Sequence, residues 1–375
     1  MKFLHTADLH IGKSVNEFSL QADQEYVLDQ MVQAAREYEV DAFVIAGDVY
    51  DRSVPAAEAV SLLDTFLTAL AKEKIPVLMV AGNHDSGKRL MFAGQILAEQ
   101  QIYIAGDAVQ DAEKVQIGDT RFVLLPFIRP AEVGTANSDQ AVRKVLSGLE
   151  EPGDGIKHQV LISHCFATAA GREPELSDSE STVHVGGIDN VDVSAFEGFS
   201  YTALGHIHKP QQVGTQSVWY AGTPLAYSFS EDSDQKGLNL VELPEEGEAL
   251  VKRIPLRPLH KMRTVRGTLE TLLLAGEEMR TAQNPDREDY LRVILEDKEE
   301  LLNPIGTLRS VYPNVMQILL AQNEMTSGMN LQENFVIPKQ KGLTELFADF
   351  YEQVKGSPMD EKRMQVVEEI AAELV

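Results

Sequence analysis

Five short apolar runs, each closing on carboxylates, imidazoles or an amide, constrain this chain more than any other feature. Residues 2–6 run into Asp8-Leu-His10, 42–46 into Gly47-Asp48-Val-Tyr-Asp51, and 77–81 into Gly82-Asn83-His84-Asp85. Residues 159–163 run into His164, and 201–204 into Gly205-His206-Ile-His208. Runs this short, rich in Val, Ile, Leu, Phe and Tyr and closed by Gly, Asp or His, read as buried strands. Helical stretches fall between the first three, at 20–38 and 56–74. The second follows Ser53 and Pro55, carries Glu58 in its first turn and finishes with Lys72 and Lys74. Alternating strand and helix predict an α/β fold, in which binding groups gather beyond the carboxyl ends of the strands, where these motifs fall.

Carboxylate, imidazole and amide oxygen together suit cations such as Mn²⁺, Fe²⁺ or Zn²⁺, and the lack of thiolates speaks against a structural zinc site. Mn²⁺ is the first choice. Two ions roughly 3.5–4 Å apart share a bridging carboxylate, activate a water and clamp the attacking and leaving oxygens of an in-line phosphoryl displacement. Asp48 is the natural bridge. His84, beside Asn83, is placed to steady charged oxygens or protonate the leaving oxygen, with Asp85 available to orient its ring. Each motif alone has a bland explanation, as a turn, an Asx cap or a satisfied core pair. Together they do not, because five of the nine histidines fall in the set, each after an apolar run. His5, His158, His184 and His260 lack that setting and read as structural or exposed.

Composition sets outer bounds. At 375 residues the chain is long enough for two or three domains with full cores. With no basic-plus-apolar leader and no apolar run of membrane-spanning length, it reads as soluble and cytoplasmic, without a membrane partner. Cys165 is the single cysteine, which suits a reducing compartment and excludes an internal disulfide. Its place after His164 admits a thiolate role, but inert packing is the favoured reading. The formal charge of −25 argues against loose adhesion to nucleic acid while leaving DNA open as a substrate. One stretch runs against the acidic trend: Lys252, Arg253, Arg257, Lys261, Arg263 and Arg266 lie between Glu248 and Glu270 with no acid among them. It reads equally as a solvated linker or as a phosphate-contacting strip.

The ordered set of motifs resembles the calcineurin-like metallophosphoesterases. Ser177-Asp-Ser-Glu180, Val185-Gly-Gly187, Ala203-Leu-Gly-His-Ile-His-Lys-Pro210, the run from Tyr220 to Glu231, and Lys236-Gly237 narrow the resemblance to the SbcD family of bacterial exonuclease subunits. It covers nearly the whole chain and implies a β-sandwich flanked by helices. It further implies that Asp8, His10, Asp48 and His208 hold one ion, that Asp48, Asn83, His164 and His206 hold the other, and that His84 is catalytic. Archaeal and eukaryotic relatives have histidine where this chain has Asp51, so a phosphate contact there does not transfer. Asp51 is read as support behind the ligands.

Beyond a hairpin-like run at 237–254, Pro255 and Pro258 punctuate a boundary. The division expected is a metallophosphoesterase nuclease domain at 1–256, a small α+β cap at 257–320, a polar linker at 321–341 and a helical pair at 342–375. Strands at 262–266, 290–296 and 315–320 with helices at 269–280 and 304–311 make up the cap, which in the family positions DNA over the metals. Arg257, Lys261, Arg263 and Arg266 are the candidate DNA contacts. The terminal pair carries apolar stripes, Leu343 to Val354 and Met364 to Leu374, that read either as self-packing or as a dock for a partner. By the resemblance that partner is an SbcC-type coiled-coil ATPase, with the chain a homodimer within a heterotetramer.

Three functions compete. The first is a metal-dependent DNA nuclease of repair and recombination, a double-strand 3'–5' exonuclease and single-strand or hairpin endonuclease. The second is a phosphodiesterase or phosphatase for small nucleotides or phosphoproteins, and the third a silent scaffold for the ATPase. A complete ligand set with His84 argues against the third, and the cap and tail favour the first over the second.

Overall fold

The computed structural model describes residues 1–107, 112–180, 189–215, 217–297 and 301–321, together with 363, 364 and 367. Met1–Leu319 form one compact unit, and Leu320–Val375 a second. The 322–341 part of the expected linker lies outside the described residues, as do His184, Val185 to Gly187 and the terminal pair, of which Arg363, Met364 and Val367 alone are described, each helical.

Two six-stranded sheets face each other in the first unit. One runs Leu250–Pro255, Gly237–Glu242, Lys2–Thr6, Ala42–Ala46, Val77–Val80, Ile102–Ala105. The other runs Gln211–Gln212, Val218–Tyr220, Tyr201–Gly205, His158–His164, Thr120–Leu125, Glu113–Ile117. Strands in both sheet centres pair in parallel. Antiparallel hairpins close one edge of the first sheet and both edges of the second, while Ile102–Ala105 ends the first sheet in parallel with its neighbour.

Side-chain parity sorts these strands between two burial layers. Phe3, Ala42, Val44, Ala46, Leu78 and Val80 meet Phe122, Val160, Ile162 and Tyr201 between the sheets. Their neighbours Leu4, Phe43, Ile45 and Met79 point the other way, against Leu28, Met31, Leu63 and Phe66 of the helices Gln21–Glu37 and Ala57–Lys72. Burial on both faces is why the strands read as unbroken apolar runs rather than as alternation. The expected sandwich flanked by helices is the fold observed. The second helix departs from expectation at its ends: Ala56 begins it without a side-chain cap, and Lys74 lies beyond it at φ 58°.

A third, three-stranded sheet of Met262–Gly267, Tyr290–Leu295 and Val315–Leu320 carries helices Leu269–Thr281 and Pro304–Arg309, as the sequence leads one to expect. Leu272, Leu291, Val293, Leu308 and Val315 form its own core. Met262, Tyr290 and Met316 pack with Leu20, Val27, Leu225 and Tyr227, joining this module to the sandwich within the same compact unit. No helix among the described residues is long and apolar enough to cross a membrane.

Candidate metal centre

Parallel pairing brings the carboxyl ends of strands 2–6, 42–46 and 77–80 to one rim of the first sheet, and those of 158–164 and 201–205 to the facing rim of the second. All seven candidate ligands follow or end these strands. Asp8, His10, Asp48 and His206 adopt φ of 54°, 43°, 47° and 106°, a left-handed backbone that L-residues rarely take. Such strain persists only where surrounding contacts over-determine it, and it clusters at functional sites. Gly82 has to be glycine for a simpler reason: a Cβ there would lie 2.1 Å from Asp48 Oδ1.

Asp8, His10 and His208 make one group of converging donors, Asp8, Asp48 and His164 another, and His10, Asp48 and His84 a third. His10 Nε2 stands 3.2 Å from His208 Nε2. Asp48 Oδ2 lies 3.4 Å from His164 Nε2, 3.8 Å from His10 Nε2 and 4.0 Å from His84 Nε2. Asn83 Oδ1 faces His164 Nε2 at 2.9 Å and His206 Nδ1 at 3.0 Å. Both Asp8 oxygens accept the His206 backbone N–H, at 3.0 and 3.1 Å. Asp8 and Asp48 each belong to two of these groups, Asp8 joining His10 and His208 to His164, and Asp48 joining His10 and His84 to His164.

Second nitrogens fix the tautomers. His164 Nδ1 donates to the Ala46 carbonyl at 2.9 Å, and His84 Nδ1 to the Asp51 carbonyl at 3.0 Å; a carbonyl only accepts, so in each neutral ring Nε2 is the bare nitrogen. His84 differs from the others in its 35% exposed side chain, against 0% for His164 and 1% for His10. It faces outward over the cluster.

The electrostatics describe a cavity short of positive charge. Burial works against the ionised Asp48 carboxylate, yet His164, His10 and His84 around it hold it well below the usual carboxylate range. Burial likewise disfavours a charged His164, but Asp48 and Asp8 raise it to about 9. Asp8, pushed up by burial against the pull of His164 and His208, reaches about 7. His10 is driven well below its ordinary value by burial, and its Nδ1 is a buried polar atom without a hydrogen-bond partner. Divalent cations would replace protons as the counter-charge here, and the mix of carboxylate, imidazole and amide oxygen is the donor chemistry they take.

Asp85 requires a correction. Rather than orienting the His84 ring, its carboxylate accepts the backbone N–H groups of Val49, Tyr50 and Gly82 at 2.9–3.0 Å. It ties two ligand loops together, while the Asp51 carbonyl orients His84. The Asp51 side chain takes Lys13 Nζ at 2.8 Å and lies 3.6 Å from His10 Nδ1. Burial pushes the Cys165 thiol up to about 12, consistent with inert packing.

Sequence reading passed over several residues around the ligands. Gln24 Nε2 donates to the His10 carbonyl at 2.7 Å and Gln24 Oε1 accepts Gly12 N–H at 2.9 Å, pinning the first loop from helix Gln21–Glu37. Ser179, Glu180 and Glu231 surround His208. Their signals were the Ser177 to Glu180 motif and the run from Tyr220 to Glu231, whose roles spacing alone does not reveal. The basic strip is mostly paired: Arg263 with Asp289 at 2.6 Å, Arg266 with Glu296 at 3.0 Å, Lys261 with Asp286 at 3.9 Å.

Known proteins agree with this architecture. The calcineurin-like phosphoesterase family matches residues 1–210, and a family described as type 5 capsule protein repressor C-terminal domain matches 258–355. The SbcD component of the SbcCD nuclease from Staphylococcus saprophyticus subsp. saprophyticus is 30% identical over 100% of this chain and 99% of its own length. Its namesake from Staphylococcus epidermidis is 31% identical over 85% of each chain. The chain belongs to the calcineurin-like phosphoesterases and, within them, to the SbcD family of nuclease subunits. A dimetal phosphatase from Danio rerio shares a distant likeness, with 14% identity and a TM-score of 0.39 over 68% of this chain and 98% of that one.

Proposed function

We propose that this chain is a metal-dependent DNA nuclease, cutting duplex ends exonucleolytically in the 3'–5' direction and hairpins or single strands endonucleolytically, in repair and recombination. The observation that carries it is the shared carboxylate: Asp48 Oδ2 faces His10, His164 and His84 at once, at 3.8, 3.4 and 4.0 Å. Asp8, His10, Asp48 and His208 would hold one divalent ion, and Asp48, Asn83, His164 and His206 the other, with Mn²⁺ as the first choice. When bound, such a pair polarises a phosphoryl oxygen and supplies a nucleophilic water at neutral pH. His84, its Nδ1 proton held by the Asp51 carbonyl, presents Nε2 from the exposed side, where it steadies the charged phosphate or protonates the leaving oxygen. Asp85 and Asp51 keep the loops and His10 in register.

A small-phosphodiester hydrolase needs only the sandwich. Likeness to nuclease subunits through the cap region favours DNA. Arg257, exposed and without an ion pair among the described residues, and Lys261, whose partner is distant and solvated, are the phosphate contacts best available. Arg263 and Arg266 are committed to acids and serve the cap's structure first. The segment 342–375 docks an SbcC-type ATPase in the cytoplasm. Self-association into a homodimer within a heterotetramer belongs to the same reading.

The test is direct. Protein loaded with Mn²⁺ degrades linear and hairpin DNA, and chelation abolishes this. Turnover of bis-p-nitrophenyl phosphate with DNA left intact would select the small-substrate reading. Undiminished capture of the ATPase by a chain truncated after Leu320 would remove the docking assignment.

A further inference from the structure

His208 is gripped on every polar atom but one. Its backbone N–H donates to Glu180 Oε1 at 2.5 Å, and its carbonyl accepts Lys236 Nζ and the Thr223 N–H, both at 3.1 Å. Ser179 Oγ stands 2.5 Å from Nδ1 and also hydrogen-bonds Glu231 Oε1. Nε2 is the atom left over, and it points at His10.

The proton inventory gives this arrangement a direction. Glu231 has a fully buried side chain, and its oxygens take Lys236 Nζ at 2.6 Å, Ser228 Oγ at 3.0 Å and Thr223 Oγ1 at 3.2 Å. The Lys236 ammonium, itself buried, is the counter-charge that keeps this carboxylate ionised. An ionised carboxylate is an acceptor only. Ser179 therefore gives its single hydroxyl proton to Glu231, and its oxygen accepts from His208 Nδ1–H. That fixes the tautomer with Nε2 bare and the ring aimed into the cluster.

Resting on the metal reading above, we propose that Ser179 is a positioning residue for His208: a serine relay, anchored on the buried Glu231–Lys236 pair, that sets the tautomer and aim of one metal-ligating imidazole. Glu180 holds the same residue by its backbone. The strand 201–205 delivers His208 to the rim, and this outer ring of contacts makes it a ligand. Losing such an outer contact typically weakens metal binding by about 10–100-fold. Ser179 acts on one side of the shared carboxylate, so the effect falls on one ion of the two.

The experiment titrates Mn²⁺ into metal-free wild type, Ser179→Ala and Ser179→Thr by calorimetry, and follows the spin-coupled electron paramagnetic resonance signal of an ion pair. Wild type takes up two ions. Ser179→Ala keeps one at wild-type affinity, binds the second about 10–100-fold more weakly and loses the coupled signal at concentrations that saturate wild type. Ser179→Thr restores the hydroxyl and with it both ions. Metal-free Ser179→Ala stays folded, its lost bond to Glu231 read as a lowered melting temperature that Ser179→Thr recovers. Unchanged affinity for both ions in Ser179→Ala would overturn the inference, as would equal weakening of both. Wild type that binds no ion would overturn the metal reading, and this inference with it.

Discussion

His10 and His208 turn their Nε2 atoms toward each other across 3.2 Å, although 198 positions separate them in the chain. Both sit in a cavity where neighbouring imidazoles supply compensating charge for Asp8 and Asp48. A cation between the rings would satisfy both nitrogens at once, which a single proton does less well. Metal-free protein is therefore expected to gain stability on adding Mn²⁺, by about 2.7 kcal/mol per site at a hundredfold excess over Kd. Differential scanning calorimetry checks this, and His10→Ala should lose much of the gain.

His84→Ala separates holding metal from using it. Its ring lies outside the most buried donors, so the variant keeps both ions while turnover falls by about 10²–10⁴-fold. Metal stoichiometry measured beside single-turnover cleavage decides the matter. A variant that loses an ion would make His84 a ligand instead.

Asp85→Asn acts on the loops. An amide oxygen replaces only part of the carboxylate that accepts three backbone N–H groups, and its NH₂ faces donors. Stability should drop by about 1–3 kcal/mol, read by urea denaturation, with the pH profile of cleavage unshifted.

His5 sets a pH dependence. Burial lowers it to about 3 in the folded chain, against 6.5 for an ordinary imidazole, with its Nε2 on the Leu204 carbonyl and Nδ1 on Tyr201. Below 6.5 the unfolded chain binds the proton and the folded one does not. Stability therefore rises with pH between about 3 and 6.5, by about 1.4 kcal/mol per unit from this group. Chemical denaturation of metal-free wild type and His5→Gln between pH 5 and 7 should show the slope reduced in the variant.

Tyr290→Phe tests the join between cap and sandwich. The buried Asp23 accepts Tyr290 Oη–H at 2.8 Å, His260 N–H at 2.8 Å and His260 Nδ1 at 3.1 Å. Removing one such charge-assisted bond costs about 1.5–3 kcal/mol. On the proposed reading, in which the cap contacts only the larger substrate, cleavage of DNA is expected to fall several-fold while hydrolysis of bis-p-nitrophenyl phosphate holds. Equal losses on both would place the effect in the metal cluster.

Sequence by itself determined the strands and where their chemistry sits. Residues buried on both faces, such as Phe43 to Ala46, make unbroken apolar runs, and a polar cluster after such a run marks the carboxyl end of a parallel strand. Local pattern carries that information. Only the tertiary structure decided that two sheets bring these ends to one rim, that Asp8, His10, Asp48 and His206 take a left-handed backbone, and that Asp85 holds loops rather than His84. Ser179 and Glu231 became legible the same way, since they meet His208 from 29 and 23 positions away, one from a turn and the other from the end of the short 3₁₀ helix Phe229–Glu231. A hydrogen bond between distant residues depends on where the whole chain puts them, and no local repeat encodes it.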